Sequence, residues 1–156
     1  MAGMHETIDP RKIARLGQSC PLGHLRQSTR VMEHIFDETL RPSGLRGSQL
    51  PVLALSALMG PTNVSSLAER LVMDRTTLTR NLKPLVRRGL VKIATGEDRR
   101  TREVSLTAEG ERVMAQVMPL WEAAQNQVIQ ELGNRWHREL LENLSEVESL
   151  ASSGSS

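Results

Sequence analysis

Tyrosine is absent from this chain, and one phenylalanine and two tryptophans are its only aromatic residues. Leu, Val, Met and Ala must therefore build the core, and only Phe36, Trp121 and Trp136 are available to stack on a flat ligand. A single cysteine excludes an internal disulfide and fits a reducing compartment. No apolar run approaches the length of a membrane span and no signal-peptide pattern opens the chain, so a cytoplasmic protein without a membrane partner is expected. Chemistry is missing as well. There is no nucleophile elbow and no glycine loop for phosphate, and the neighbouring carboxylates Glu97 and Asp98 fall at a hairpin tip, unsuited to acid–base work in a pocket. An enzyme is not expected, nor a cofactor.

What is present is an uneven distribution of charge. The formal net charge of the 156 residues is only +2. Between Arg70 and Arg102, however, ten Lys and Arg stand against Asp74, Glu97 and Asp98, whereas from Glu103 onward nine Glu stand against three Arg. A basic middle beside an acidic remainder points to a polyanion that docks on the middle alone.

Within that basic middle, Val64, Leu67, Ala68, Leu71 and Val72 recur at helical period. Asp74 then offers an N-cap, because its carboxylate can accept from the orphan amides of the next turn. On a wheel, Leu78, Leu82, Leu85 and Val86 gather on one side of the following helix, and Thr76, Thr79, Arg80, Lys83 and Arg87 on the other. The second face carries hydroxyls and cations and no carboxylate. Short Thr side chains permit close approach to a major groove, Arg can grip guanine edges in a fork, and flanking cations hold phosphates. A solvated basic face is the plain alternative, but ordinary surface helices intersperse both signs. Pro84 lies inside this helix and Gly89 ends it.

Leu90–Thr95 and Arg102–Leu106 alternate as strands, with an arginine-loaded tip, Gly96–Thr101, between them. The hairpin reads as a wing whose Arg99 or Arg100 reaches a minor groove, with Asp98 as a brace. Upstream, Asp9-Pro10 starts a short helix, and Leu22, Leu25, Thr29, Met32, Phe36 and Leu40 stripe a longer one. Leu50, Leu53, Leu55 and Leu58 mark a helix in the core of the basic lobe, and Gly60–Asn63 a turn. Downstream, Thr107 caps a long helix carrying Val113, Val117, Trp121, Ala124 and Val128. A last helix carries Trp136, Leu140, Leu144, Val147 and Ala151. These end helices are amphipathic and acidic outside, and the same helices of a second subunit are the natural cover for their apolar stripes.

The expected fold is mainly α with a small β-hairpin wing: a winged helix-turn-helix lobe plus a helical dimerisation layer. The parts are residues 1–40, an N-terminal helical region contributing to dimerisation; 44–106, the DNA-binding lobe; 107–151, the C-terminal dimerisation helices; and 152–156, a flexible tail.

This succession resembles the MarR family of bacterial winged-helix transcription regulators, from about Leu22 to Leu150. Four segments carry the resemblance: Gly44-Leu45 with Gln49; Leu67-Ala68 with Asp74-Arg75-Thr76-Thr77-Leu78-Thr79-Arg80; Leu85 with Arg88-Gly89-Leu90-Val91; and Asp98-Arg99-Arg100 with Leu106-Thr107 and Gly110. It implies a homodimer on a pseudo-palindromic operator, usually a repressor, released by a small-molecule effector bound between the dimer layer and the DNA lobe. It places helix contacts on Arg75, Thr76, Thr77, Thr79 and Arg80, and the wing motif on Asp98 and Arg100 with Arg99 adjacent. The chain departs at Arg46, where the family has Thr, which changes a helix cap and leaves DNA binding intact.

Two further readings remain open. Cys20, near a helix N-terminus with His24 and Arg26 close in sequence, is a candidate redox sensor, against the plainer reading of a small core thiol. Cys20 and His24 share a helix face and with His34 or His5 could ligate a metal, but no second pair of ligands accompanies them, so no metal is expected. A nonspecific architectural DNA protein is the remaining rival.

Overall fold

The computed structural model describes residues 8–96 and 100–153. The first two helices are α1, Pro10–Ser19, and α2, Pro21–Leu40. Asp9 caps α1 by accepting from the amide of Arg11 at 2.9 Å, and Pro10 takes the first helical position, where its missing N–H is no loss. The chain divides into two compact units, Met1–His34 and Ile35–Ser156, with the boundary inside α2. In the first unit none of the residues of α1 is buried, and Ile13 and Leu16 are exposed.

The second unit holds the rest of the fold. Short 3-10 turns at Arg41–Ser43 and Gly47–Gln49 lead into α3, Leu50–Met59. Pro51 sits in the first turn of α3, the one place where it breaks no helical bond. Arg46 has no acceptor to offer as a cap, so its backbone carbonyl accepts from Gln49 N at 2.9 Å while the Gln49 side chain accepts from Arg46 N at 3.1 Å. There follow β1, Thr62–Asn63; α4, Val64–Arg70; α5, Arg75–Arg87; β2, Val91–Thr95; and β3, Arg102–Leu106. The chain ends in α6, Ala108–Leu132, and α7, Asn134–Ser153.

The strands form an antiparallel sheet in the order β1-β3-β2. Val91 pairs with Leu106, Ile93 with Val104 and Thr95 with Arg102, while Thr62 pairs with Val104 on the other edge of β3. The expected hairpin is therefore three-stranded. The stretch Gly60–Asn63 reads as a turn because two residues are too few to show alternation, and only the pairing with β3 makes Thr62–Asn63 a strand.

A Leu- and Val-rich core joins α3, α4, α5 and the sheet, with Leu40, Leu53, Leu67, Leu78, Leu82, Leu85, Val91 and Val104 all inaccessible or nearly so. It does not stop at residue 106. Val113 and Val117 of α6 belong to the same cluster. The close approach that brings them in requires glycine at position 110, where a Cβ would stand 2.1 Å from the carbonyl oxygen of Leu90. Thr107 stitches the same junction: its hydroxyl donates to Gly89 O at 2.5 Å and accepts from Gly110 N at 3.0 Å.

Four large apolar residues of the winged lobe are exposed. Leu58 is 82% exposed, at the last turn of α3. Val72 is 68% exposed and outside α4, whose end falls at Arg70. Val86 and Ile93 are 39% and 40% exposed. A wheel or an alternation assigns a face but cannot say how wide the covering neighbour is. The last helix also runs through Ser153, two residues into the segment read as a tail.

Candidate nucleic-acid interface

The junction of α4 and α5 is built from caps. Asn63 opens α4 by accepting from Ser65 N at 2.7 Å, a bond worth about 1 kcal/mol. At the other end Met73 N donates to Ala68 O at 2.9 Å and Val72 N to Glu69 O at 3.0 Å. Those two bonds are a Schellman closure, which needs a left-handed residue at its centre. That residue is Val72, with φ 51, the only non-glycine at positive φ among the described residues. A β-branched side chain is strained there. Two residues later Asp74 caps α5, accepting from Thr77 N at 2.8 Å and from the Thr77 hydroxyl at 2.6 Å. The Thr77 hydroxyl, then its amide, hold the Asp74 carboxyl below its ordinary pKa. The carboxylate that precedes the basic helix is thus engaged in the helix start.

From this cap α5 projects two faces. Leu78, Leu82 and Leu85 are buried, while Arg75, Thr76, Thr77, Thr79, Arg80, Lys83 and Arg87 are exposed. Arg75, Thr76, Thr79, Arg80 and Lys83 line one shallow hollow together. No ion pair engages Arg75, Arg80, Lys83 or Arg87 among the described residues. Two of the hydroxyls are already committed as donors, Thr77 to Asp74 and Thr79 to the carbonyl of Arg75 at 2.7 Å. That leaves each an acceptor toward solvent. Thr76 has no such tie.

The far end of α5 repeats the closure with the residue it prefers. Gly89, φ +69, donates to Val86 O and Leu90 N to Leu85 O, both at 2.9 Å, and buried Leu90 and Leu85 supply the accompanying apolar contact. Arg88, beside it, reaches back across the chain. Its Nη1 donates to Gly44 O at 2.6 Å and its Nη2 to Ser43 O at 2.9 Å. Sequence reading placed Arg88 in a motif without a task. The fork fixes the end of α5 to the turn that follows α2, and nothing local in the sequence signals it.

The wing is present as β2 and β3, closed at Gly96 N to Thr101 O, 3.1 Å. A Cβ at position 96 would meet only side chains, Thr101 Oγ1 at 2.5 Å and Glu103 Oε1 at 2.7 Å, which would have to turn aside. Arg100 is exposed at the tip. Asp98 and Arg99, read as a brace and a groove contact, lie outside the described residues.

Cys20 caps the end of α1 and is half-buried. The ring Nε2 of His24 stands 3.1 Å from the carbonyl of Gln18, which the imidazole N–H donates to in the matching tautomer. Among the described residues no three His, Cys, Asp or Glu converge on a metal position, and His5 is not among them. Among the described residues no helix is long and apolar enough to cross a membrane.

The sequence profile of the MarR family matches residues 43–101, the winged lobe. The Mycobacterium tuberculosis transcriptional regulator MosR, solved in complex with DNA, is 34% identical, with 85% of this chain and 98% of that one covered at a TM-score of 0.74. A mutant of Escherichia coli MarR complexed with operator DNA has the same fold, at 24% identity, a TM-score of 0.75, and 85% and 96% of the two chains covered. The uncharacterized HTH-type transcriptional regulator YwoH of Bacillus subtilis is 35% identical over 88 residues, which are 56% of this chain and 64% of that one.

Proposed function

The chain belongs to the MarR family of transcriptional regulators, and on that premise we propose that it binds a pseudo-palindromic operator as a homodimer and leaves it when a small effector binds. The observation that carries the reading is the exposed, carboxylate-free face of α5 standing on a fully buried leucine row. Helix α5 enters the major groove, with its partner in the next major groove on the same side, about ten base pairs away. Arg80 and Thr76, near the helix start, face base edges; Arg75, Lys83 and Arg87 face phosphates; Thr77 and Thr79 pack close to the strand. The wing reaches the flanking minor groove through Arg99 or Arg100, with Asp98 as the brace. Residues 1–40 and 107–151 supply the dimer layer around the lobe at 44–106, and repression follows from occupancy of the operator.

Selection of bound duplexes from a random pool, followed by salt titration on the selected and a scrambled duplex, tests this. Arg80→Ala should cost about 1–3 kcal/mol on the selected duplex and relax base choice. Lys83→Ala should weaken both duplexes alike and flatten the slope of log affinity against log salt by about one unit. Equal losses on both duplexes for Arg80→Ala would overturn its role as a base reader, and no selected sequence at all would overturn the regulator in favour of a nonspecific DNA protein.

A further inference from the structure

Resting on that reading, a second kind of contact can be located. The major groove and the minor groove next to it are separated by a single sugar-phosphate strand. A helix in one and a hairpin in the other must straddle it. Between α5 and β2 the surface holds a shallow hollow of about 550 Å³. Its lining includes Val86, Pro84 and Ile93, with Arg80, Lys83 and Arg87 among the same residues and no carboxylate. Val86 lies on the leucine side of α5 and Ile93 in the alternation of β2, and the fold leaves them 39% and 40% exposed.

We propose that this hollow is the seat of the intervening DNA strand, with deoxyribose carbons resting on Val86 and Ile93 while Lys83 and Arg87 face the phosphates on either side. The match is one of chemistry. A nucleic acid strand presents C–H edges of sugars between charges of one sign, and the hollow presents branched aliphatic carbon between charges of the other. Sugar contact carries no sequence information, so this seat sets affinity and register whereas Arg80 sets base choice. It also differs from the phosphate contacts, because burying apolar surface releases no counterion.

Two measurements test it on the full chain. Val86→Thr and Ile93→Thr keep the branched shape and remove apolar surface. Each should weaken the selected and the scrambled duplex alike, about threefold to tenfold, with an unchanged salt slope. Hydroxyl-radical footprinting of the parent protein, which reads abstraction of sugar hydrogens, should show protected deoxyriboses on the strand between the helix and wing contacts. Unchanged affinity in both variants, loss confined to the selected duplex, a flattened slope or unprotected sugars would each overturn the seat. An acidic peptide as the true occupant would appear as the first of these. If the parent prefers no duplex, the regulator reading has failed. If it keeps its preference and the variants bind as it does, the seat alone has failed.

Discussion

Asp74 illustrates how a single residue serves fold and function at once. Its carboxylate immediately precedes the basic face of α5, and free it would repel phosphate. Bonded to the hydroxyl and the amide of Thr77, it becomes part of the helix start, and its pKa falls below the ordinary value. A depressed folded-state pKa contributes stability that is present above the ordinary carboxylate pKa of about 4 and is lost as pH falls through the lower folded value. Thr77→Val removes the largest cause. The Asp74 carboxyl should then titrate at higher pH, and the acid edge of the stability profile should move up with it. Following that carboxyl by NMR through an acid titration of both proteins decides the matter, an identical titration counting against the hydroxyl's role. The same residue shows why Thr77 and Thr76 are different propositions on the DNA side, since the hydroxyl of Thr77 has a partner and that of Thr76 has none among the described residues.

At the scale of the element, α4 and α5 end by the same hydrogen-bond closure with unequal residues at its centre. Gly89 adopts the left-handed conformation at no steric cost, whereas Val72 adopts it against a penalty of about 1–2 kcal/mol or more for an L-residue. Val72→Gly relieves that strain and sacrifices little packing, because Val72 is exposed. The added freedom of glycine in the unfolded chain takes part of the gain back. A net stabilisation of about 0.5–1 kcal/mol is expected, read as a higher midpoint in denaturant with unchanged DNA affinity, and a lower midpoint would show that Val72 makes a contact that outweighs its backbone. Legibility divides along the same line. The caps at Asp9, Asn63, Asp74 and Thr107 and the stop at Gly89 could be read from the sequence because each is decided by a residue and a partner at most three positions away. The Arg88 fork to Ser43 and Gly44 and the strand at Thr62–Asn63 could not, because each depends on a segment brought close by the fold, and the left-handed Val72 could not, because a β-branched residue argues against the conformation its local closure imposes. The hydroxyl, cation and leucine faces of α5 were legible as a pattern, and the exposure of Val86 and Ile93 was not.

At the scale of the whole molecule, the helices outside the winged lobe are incompletely covered. No described residue of α7 is buried, and Val147 and Leu150 lie open although they belong to its apolar side. A second copy of the chain is the cover proposed for them. The parent should sediment at about twice the 17.3 kDa of one chain. Val147→Glu with Leu150→Glu, which disturbs nothing buried within one subunit, should shift it toward the single mass and remove high-affinity operator binding. A doubled species that survives the double substitution would place the subunit contact elsewhere.

Both indoles sit on α6 and α7, and with tyrosine absent the winged lobe is optically silent. Intrinsic emission therefore watches the two terminal helices and is blind to the surface that meets the duplex. Any spectral response to added operator is a message delivered through the scaffold rather than quenching on the spot, so the wild-type protein carries its own remote indicator without a dye.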